Sequence, residues 1–230
     1  MLFIPPDVRN IMAALSQRGH EAYIVGGCVR DSLLNTIPGD WDIATSATPD
    51  TVLSLLGGEA TGLRYGTVTV PAGTSDVQVT TYRREGPYKD HRRPDYVEFV
   101  TDLKTDLARR DFTVNAMAAG MDGGVTDPFG GRGDLKNKLI RCVGDPDGRF
   151  YEDALRILRA LRFASVLDFH IEDQTRDALL KHADTLRFLT KKKKSEEIGK
   201  LRRGAGAERV VAEYGEAMLK AGVPLSGNTP

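Results

Sequence analysis

The chain has 230 residues, of which 40% are hydrophobic and 28% charged, a balance that suits one medium or two small globular domains. Its 32 basic and 32 acidic side chains cancel, so the total charge does not indicate a nucleic-acid partner and any basic surface must be local. No apolar run approaches the length of a membrane span, and the first residues lack the features of a secretory signal. Two cysteines, Cys28 and Cys142, are too few for a disulfide framework or a zinc cluster, so a reducing, cytoplasmic setting is expected.

The first predicted elements are a helix that opens at Pro5-Pro6-Asp7 and ends at Gly19, and a short buried strand over residues 21–25. The pair Gly26-Gly27 follows, and a helix is predicted over residues 29–34. Glycines allow close approach of a phosphate, and a helix N-terminus favours negative charge. Arg30 adds a planar guanidinium suited to phosphate oxygens. This turn is therefore a candidate triphosphate cradle.

A second predicted strand, residues 40–44, carries two acidic residues one position apart, Asp40 and Asp42. Alternate residues of a strand share a face, so both carboxylates should project together while Trp41 points away. Carboxylates beside a phosphate cradle form a magnesium site, as in-line displacement at phosphorus requires. Alone, a Gly-Gly pair is usually a tight turn, and an Asp-x-Asp motif is usually a solvated loop. The two motifs in succession favour nucleotide chemistry.

Further elements follow in chain order: a helix from Thr48 to Gly57, a hairpin of residues 66–70 and 76–82, a polar and mobile loop over 83–95, a strand over 96–100, a helix over 103–110 and a strand over 139–143. From Arg149 onward the pattern predicts helices only, over residues 151–167, 172–182, after Ser195, and 207–221. A mixed α/β segment is therefore followed by a helical one.

Asp153 and Arg156 lie three residues apart on the first of these long helices, and should share a face. Cytosine and adenine present an amino donor beside a ring-nitrogen acceptor, whereas guanine and uracil present the reverse. A carboxylate and a guanidinium held in place would therefore admit C and A, because each unpaired buried polar group costs about 1–3 kcal/mol. The simpler alternative is an acidic first turn with a local ion pair.

With the run Arg109-Arg110-Asp111-Phe112-Thr113-Val114-Asn115-Ala116-Met117-Ala118 and the motif Glu152-Asp153-x-x-Arg156 added to the cradle and Asp-x-Asp, the chain resembles the class II tRNA nucleotidyltransferases. These are the bacterial CCA-adding enzymes and poly(A) polymerases of the DNA polymerase beta-like superfamily. The resemblance implies an α+β fold. A nucleotidyltransferase head over residues 1–147, with a five-stranded mixed sheet and flanking helices, would precede an all-helical neck over 148–204 and the start of a truncated helical body over 205–230.

The resemblance also implies a role for each motif. Gly26, Gly27 and Arg30 would bind the triphosphate; Asp40 and Asp42 would be catalytic and bind Mg²⁺; Arg110, Asp111 and Asn115 would bind the ribose; Asp153 and Arg156 would read the base, supported by Glu152, Arg149 and Arg159. The implied reaction is attack of the tRNA 3′-hydroxyl on the α-phosphorus of CTP or ATP with release of pyrophosphate, by a two-metal mechanism. The implied partners are the tRNA acceptor end, ATP and CTP, with no membrane and no obligate protein partner. Residues 83–95 correspond to the flexible loop that helps the family switch from CTP to ATP.

Two departures from the family pattern stand out. Gln78 occupies a position where family members commonly carry a carboxylate that assists the attacking hydroxyl. Activity would then be lowered, or Asp76 would serve as the third acid, or the alignment would be shifted by two residues. The chain is also short, because family members continue into body and tail domains that bind tRNA. It would be a truncated piece or a minimal enzyme, with the Lys191–Lys194 run and Arg202-Arg203 as candidate phosphate contacts or as a solvated face.

Several alternatives remain open. A poly(A) polymerase would carry a basic segment where Gly62 to Thr67 stand here, and a CC-adding enzyme would lack the flexible loop, so both are less favoured. An A-adding enzyme stays an alternative, as does a catalytically weakened nucleotide- or RNA-binding domain. A dinucleotide-dependent oxidoreductase is disfavoured, because the chain has no Gly-x-Gly-x-x-Gly motif.

Overall fold

The computed structural model describes residues 2–73 and 75–225, which pack into two units that interleave along the chain. The first unit runs to Gly86 and takes in Tyr96–Arg110 and Val114–Arg132. The second comprises Pro87–Asp95, Asp111–Thr113 and the residues from Gly133 on. The continuous division at residues 147 and 204 stays a prediction.

The first unit is built on a mixed β-sheet. Its strands and helices are α1 (Pro6–Gln17), β1 (Ala22–Val25), α2 (Gly27–Leu33), β2 (Trp41–Thr45), α3 (Pro49–Leu56), β3 (Glu59–Gly62), β4 (Thr67–Ala72), β5 (Ser75–Thr81), β6 (Arg83–Glu85), β7 (Val97–Phe99), α4 (Leu103–Ala108), β8 (Ala118–Ala119) and β9 (Val125–Thr126). Within the described residues the sheet has seven strands in the order β3-β4-β5-β2-β1-β8-β9. The pair β2–β5 is parallel, and the other neighbouring pairs are antiparallel. The α+β class and the mixed sheet are thus confirmed, with two strands more than expected.

Three strands of this sheet were not predicted, β3, β8 and β9, and they carry little sequence signal. β3 reads Glu-Ala-Thr-Gly and is mostly exposed, while β8 and β9 have two residues each, so none shows an extended alternating pattern. The predicted strand over 96–100 shortens to β7, which pairs with β6 in a separate two-stranded ribbon. The expectation of a mobile loop from residue 83 was therefore wrong for its first three residues. Arg83 and Glu85 form an ion pair there, which offsets the polarity of the segment.

The second unit contains the helical part of the chain. Its elements are α5 (Gly131–Asn137), which begins at the end of the first unit, β10 (Leu139–Ile140), α6 (Pro146–Glu152), α7 (Leu155–Val166), β11 (His170–Ile171), α8 (Asp173–Lys181), α9 (Lys191–Leu201) and α10 (Ala207–Lys220). The expectation of helices only was wrong at His170–Ile171, which pairs in parallel with Leu139–Ile140. None of the helices among the described residues combines the length and apolar character needed to cross a membrane.

Two helix boundaries differ from prediction in ways that matter for the site. The helix predicted over 151–167 is interrupted at Asp153, whose backbone is extended at φ −134° and ψ 101°. The helix expected after Ser195 begins at Lys191, four residues before Ser195, and Thr190 caps it by accepting a hydrogen bond from Lys193 N. The four-lysine run is therefore the first turn of α9. The remaining long helices, α8 and α10, match their predicted ranges within one residue at each end.

Candidate functional site

The glycine turn lies in the first unit, where β1 leaves the centre of the sheet and α2 begins. Gly26 has φ 77° and ψ −130°, a conformation that glycine adopts readily and other residues rarely do. A Cβ at Gly26 would lie 3.0 Å from Arg110 Nη1, and one at Gly27 would lie 3.6 Å from Arg30 Nη2. Two guanidinium groups thus cover the two glycines, and the turn is a cationic cradle as well as a close backbone approach.

Both guanidinium groups are held by side-chain acceptors, of which Asn115 and Asp106 are buried. Arg30 donates from Nη1 to Asn115 Oδ1 at 2.6 Å and from Nε to Asp31 Oδ1 at 2.8 Å. Arg110 donates from Nη2 to Asp106 Oδ2 at 3.1 Å, and the Asp106 side chain is completely buried. These partners fix the direction of each guanidinium before any anion binds, which reduces the ordering cost of binding.

Asp106 is the hub of this arrangement. Besides Arg110, it accepts from Arg109 Nε at 2.9 Å and from Arg83 N at 3.2 Å. Burial alone would raise the pKa of Asp106, but Arg109 and Arg110 outweigh it, so the pKa lies below its ordinary value. The carboxylate therefore stays ionised and keeps both arginines in place.

The two predicted metal ligands lie at the start of β2. Asp42 is on the strand, whereas Asp40 is exposed and precedes it, so the strand is one residue shorter at this end than predicted. Burial and the charge of Asp40 raise the pKa of Asp42, and Arg110 opposes this. Asp42 is thus close enough to be influenced electrostatically both by Asp40 of the same motif and by Arg110, the cation over Gly26.

Gln78 is the direct cross-strand partner of Asp42 in the parallel β2–β5 pair. Paired residues of neighbouring strands project to the same side of a sheet, so the amide lies on the face of the Asp42 carboxylate. Asp76 is also exposed on this face of β5 but pairs with Pro71 of β4. Gln78, and not Asp76, therefore occupies the strand position beside Asp42. No group of three or more His, Cys, Asp or Glu side chains placed to hold a metal occurs in residues 2–73 and 75–225.

The base-reading motif lies in the second unit, at the junction of α6 and α7. Asp153 is outside both helices, so the expectation that it shares a helical face with Arg156 was wrong. Its Oδ1 accepts from the backbone N of Leu155, the first residue of α7, at 2.9 Å.

Arg156 is 5% exposed and is surrounded by acceptors. Its Nη1 donates to Glu152 Oε2 at 2.6 Å and to the Arg149 carbonyl at 2.9 Å. Arg149 donates to the same Glu152 oxygen at 2.8 Å. Glu152 and Arg149 therefore both contact Arg156, and the Arg149 carbonyl also accepts from Asp153 N at 3.4 Å.

Asp111 also belongs to the second unit. Its Oδ2 accepts from Arg159 Nε at 2.7 Å and forms an ion pair with Arg159 Nη2 at 2.6 Å. The three residues expected to bind ribose are thus divided: Arg110 and Asn115 contact the cradle of the first unit, and Asp111 is paired with Arg159.

Three functional candidates were not found by sequence reasoning. Asp106 had a usable signal, since it stands three and four residues before Arg109 and Arg110. Tyr88 and Arg92 had none. Both lie in the predicted mobile loop, yet Arg92 Nη1 contacts Asp153 Oδ2 at 3.1 Å and the Tyr88 hydroxyl accepts from Arg156 Nη2 at 3.3 Å.

Comparison with known proteins agrees with these motifs. Residues 22–141 match the family model of the poly A polymerase head domain. A CCA-adding enzyme of Lactobacillus helveticus is 44% identical over 224 residues, covering 95% of this chain and 56% of that protein. A CCA-adding enzyme of Bacillus velezensis is 45% identical over 219 residues, covering 94% and 55%. The chain spans about half the length of the curated relatives it matches.

Solved structures give the same result. The Bacillus stearothermophilus CCA-adding enzyme in complex with CTP is similar with a TM-score of 0.85 and 38% identity, over 94% of this chain and 53% of that one. The Thermotoga maritima CCA-adding enzyme complexed with tRNA is similar with a TM-score of 0.79 and 26% identity, over 99% and 55%. The chain therefore belongs to the poly A polymerase head-domain family.

Proposed function

We propose that this chain carries the nucleotidyl-transferring part of a CCA-adding enzyme, which adds CMP and AMP from CTP and ATP to the 3′ end of tRNA. The observation that carries the proposal is the placement of two guanidinium groups over Gly26 and Gly27, with Asp42 under the influence of Arg110. A triphosphate is the ligand whose charge and oxygen spacing such a cradle suits. Because tRNA and nucleoside triphosphates are the substrates, the proposed setting is the cytoplasm.

Arg30 and Arg110 would bind the triphosphate with Gly26 and Gly27. Arg110 and Asn115 thus move from the ribose to the phosphate end of the nucleotide in this proposal, since Asn115 accepts from Arg30. Asp111 would remain the acceptor for a ribose hydroxyl, oriented by Arg159. Asp153 and Arg156 would read the base.

Asp40 and Asp42 would hold Mg²⁺. Two carboxylates suit this ion, because Mg²⁺ in nucleotide sites commonly takes one or two carboxylates together with substrate phosphate oxygens. Bound there, Mg²⁺ would activate the attacking 3′-hydroxyl and neutralise the departing pyrophosphate. Gln78 would contribute a neutral oxygen beside Asp42, which lowers the negative charge of the site compared with an acid at this position.

The decisive experiment offers tRNAs that lack the terminal CCA, CA or A, each with one labelled nucleoside triphosphate and Mg²⁺. CMP addition to the first two substrates and AMP addition to the third support CCA addition. AMP addition alone, or a long AMP tail, identifies an A-adding enzyme or a poly(A) polymerase. An Asp42→Ala variant should incorporate nothing while its far-UV circular dichroism stays that of the wild type. Turnover unchanged by this substitution would remove the metal-site assignment.

A second candidate, motivated by Gln78 beside Asp42, is a nucleotide-binding domain with weakened catalysis. It predicts CTP or ATP binding in the presence of Mg²⁺ with no release of pyrophosphate on any of the three tRNAs. Calorimetric titration with CTP, run on the same preparation, separates this candidate from a protein that binds no nucleotide.

A further inference from the structure

The segment Pro87–Asp95, called here the 87–95 loop, packs within the second unit on the junction between α6 and α7. His91 fixes its centre: the imidazole stacks on Phe188 with ring centroids 4.7 Å apart, and its Nδ1 lies 2.6 Å from the Tyr151 carbonyl. The His91 carbonyl accepts from Ala154 N at 2.9 Å. The loop is therefore attached to the residue that follows Asp153.

This attachment presents two loop side chains to the base-reading pair. Arg92 Nη1 lies 3.1 Å from Asp153 Oδ2, with 31% and 13% of the two side chains exposed. The Tyr88 ring lies under the Arg156 guanidinium at 5.6 Å, and its hydroxyl accepts from Arg156. Each member of the pair thus has one partner from the 87–95 loop, more than 60 residues away along the chain.

The two oxygens of the Asp153 carboxylate have different hydrogen-bond partners. Oδ1 accepts from Leu155 N, and Oδ2 accepts from Arg92. The charged groups that face it are Arg92 from the loop and, from α7, Arg156 and Arg159. Arg156 is already neutralised by Glu152 of α6, and Arg159 by Asp111. Arg92 is therefore the cation whose main ionic partner among the described contacts is Asp153.

We propose that Arg92 determines base selectivity by keeping Asp153 in the ionised form, in which both of its side-chain oxygens are only acceptors. This inference rests on the proposed function, in which Asp153 accepts from the amino group of cytosine or adenine. An ionised carboxylate rejects uracil and guanine, because their carbonyl oxygen at the same position is also an acceptor. A protonated carboxyl can donate to that carbonyl, and one of the two mismatches that reject these bases then disappears.

Burial and the neighbouring charges act in opposite directions on the pKa of Asp153. Burial raises the pKa of this carboxyl, and the charge of Arg92 is the largest influence that lowers it. Without Arg92, the protonated form would therefore appear at higher pH than in the wild type. Removing one mismatch should cost roughly a tenfold factor in discrimination, which corresponds to about 1.4 kcal/mol.

The test measures the ratio of CTP to UTP affinity by calorimetry with Mg²⁺ between about pH 5.5 and pH 8. A ratio cancels the protonation of the triphosphate, which both nucleotides share. In Arg92→Gln the ratio should fall roughly tenfold towards low pH, with its midpoint displaced to higher pH than in the wild type. Arg92→Lys, which retains the charge, should restore most of the wild-type profile.

Arg93→Gln is the matched control. Arg93 is the next residue of the loop, its side chain is exposed, and its backbone N donates to Asp90 rather than to Asp153. The substitution removes one positive charge from the same loop and should leave the profile unchanged. A direct readout is the ¹³C titration of the Asp153 carboxyl, whose midpoint should rise in Arg92→Gln but not in Arg93→Gln.

Two results would overturn the inference about Arg92: an Asp153 titration that does not change in Arg92→Gln, or a loss of discrimination that is independent of pH and equal in Arg92→Lys. The latter would indicate that Arg92 only tethers the loop. A different result would refute the proposed function. A wild-type protein that binds CTP and UTP equally at neutral pH would refute base reading by Asp153 itself.

Discussion

Replacing Gly26 by alanine tests whether the cradle depends on the glycine or only on the charges around it. The added methyl group would have to occupy a backbone conformation with φ 77° and ψ −130°. It would also lie 3.0 Å from Arg110 Nη1, so that the guanidinium must retreat by a few tenths of an ångström. Arg110 cannot swing freely, because Asp106 holds its other nitrogen at 3.1 Å.

The expected losses have separate origins. Backbone strain at such a residue costs of order 1–3 kcal/mol of unfolding free energy. Displacement of Arg110 weakens one charge-assisted hydrogen bond to the triphosphate, worth about 1.5–3 kcal/mol, which corresponds to a rise in the CTP dissociation constant of roughly tenfold or more. Gly26→Ala should therefore lower both stability and CTP affinity.

Gly57→Ala separates the two effects. Gly57, at the end of α3, has a similar conformation, with φ 69° and ψ −152°, but a Cβ there meets nothing within 4 Å. Urea unfolding, followed by the fluorescence of the single tryptophan, Trp41, should show a comparable loss of stability in both variants. Calorimetric titration with CTP and Mg²⁺ should show weaker binding in Gly26→Ala alone. Wild-type affinity in Gly26→Ala, or an equal loss in Gly57→Ala, would refute the assignment of the cradle.

Two further substitutions test the surroundings of the cradle. Asp106→Asn removes the buried charge shared by Arg109 and Arg110, and should lower the unfolding free energy at neutral pH by roughly 3–5 kcal/mol, measured by urea unfolding. Because the folded-state pKa of Asp106 is depressed, its contribution is complete above the unfolded value of about 3.9 and is lost as pH falls through the lower folded value, so the wild type and the variant should converge in acid. Gln78→Glu places a third carboxylate beside Asp42; it should lower stability without Mg²⁺ by about 0.2–1 kcal/mol and reduce the Mg²⁺ concentration needed for half-maximal incorporation. An unchanged Mg²⁺ requirement would contradict the assignment of Gln78 to the metal site.

Local patterns were enough to predict much of the first unit. Alternating apolar residues predicted the strands β1, β2, β4 and β5, and turn residues predicted the glycine turn before the two acids. Each of these signals comes from residues that are close together in the sequence. The orientation of Arg110 could not be predicted in this way. A basic residue at the end of a helix has many acceptors within reach. The guanidinium of Arg110 lies beside the Gly26 turn because it is bonded to Asp106, whose buried position depends on the tertiary fold.

The base-reading junction shows the opposite case, in which a local pattern misled. Apolar residues recur with helical spacing from Leu155 to Leu161, and Glu152 and Asp153 are common in a first helical turn, so one continuous helix was predicted. The backbone instead leaves the helix at Asp153, whose carboxylate accepts from the first residue of α7. Contact between Asp153 and Arg92, 61 residues apart, has no signature in the spacing of either residue.

The interleaving of the two units limits how this protein can be divided or recombined. The 87–95 loop and Asp111–Thr113 are encoded within the first unit's stretch of chain but pack with the second. A chimaera joined at a single point would therefore combine an Asp153 from one parent with an Arg92 from the other. Exchanges between relatives should carry the two short segments together with the helices, and the nucleotide preference of such hybrids would report on how closely these segments have been matched.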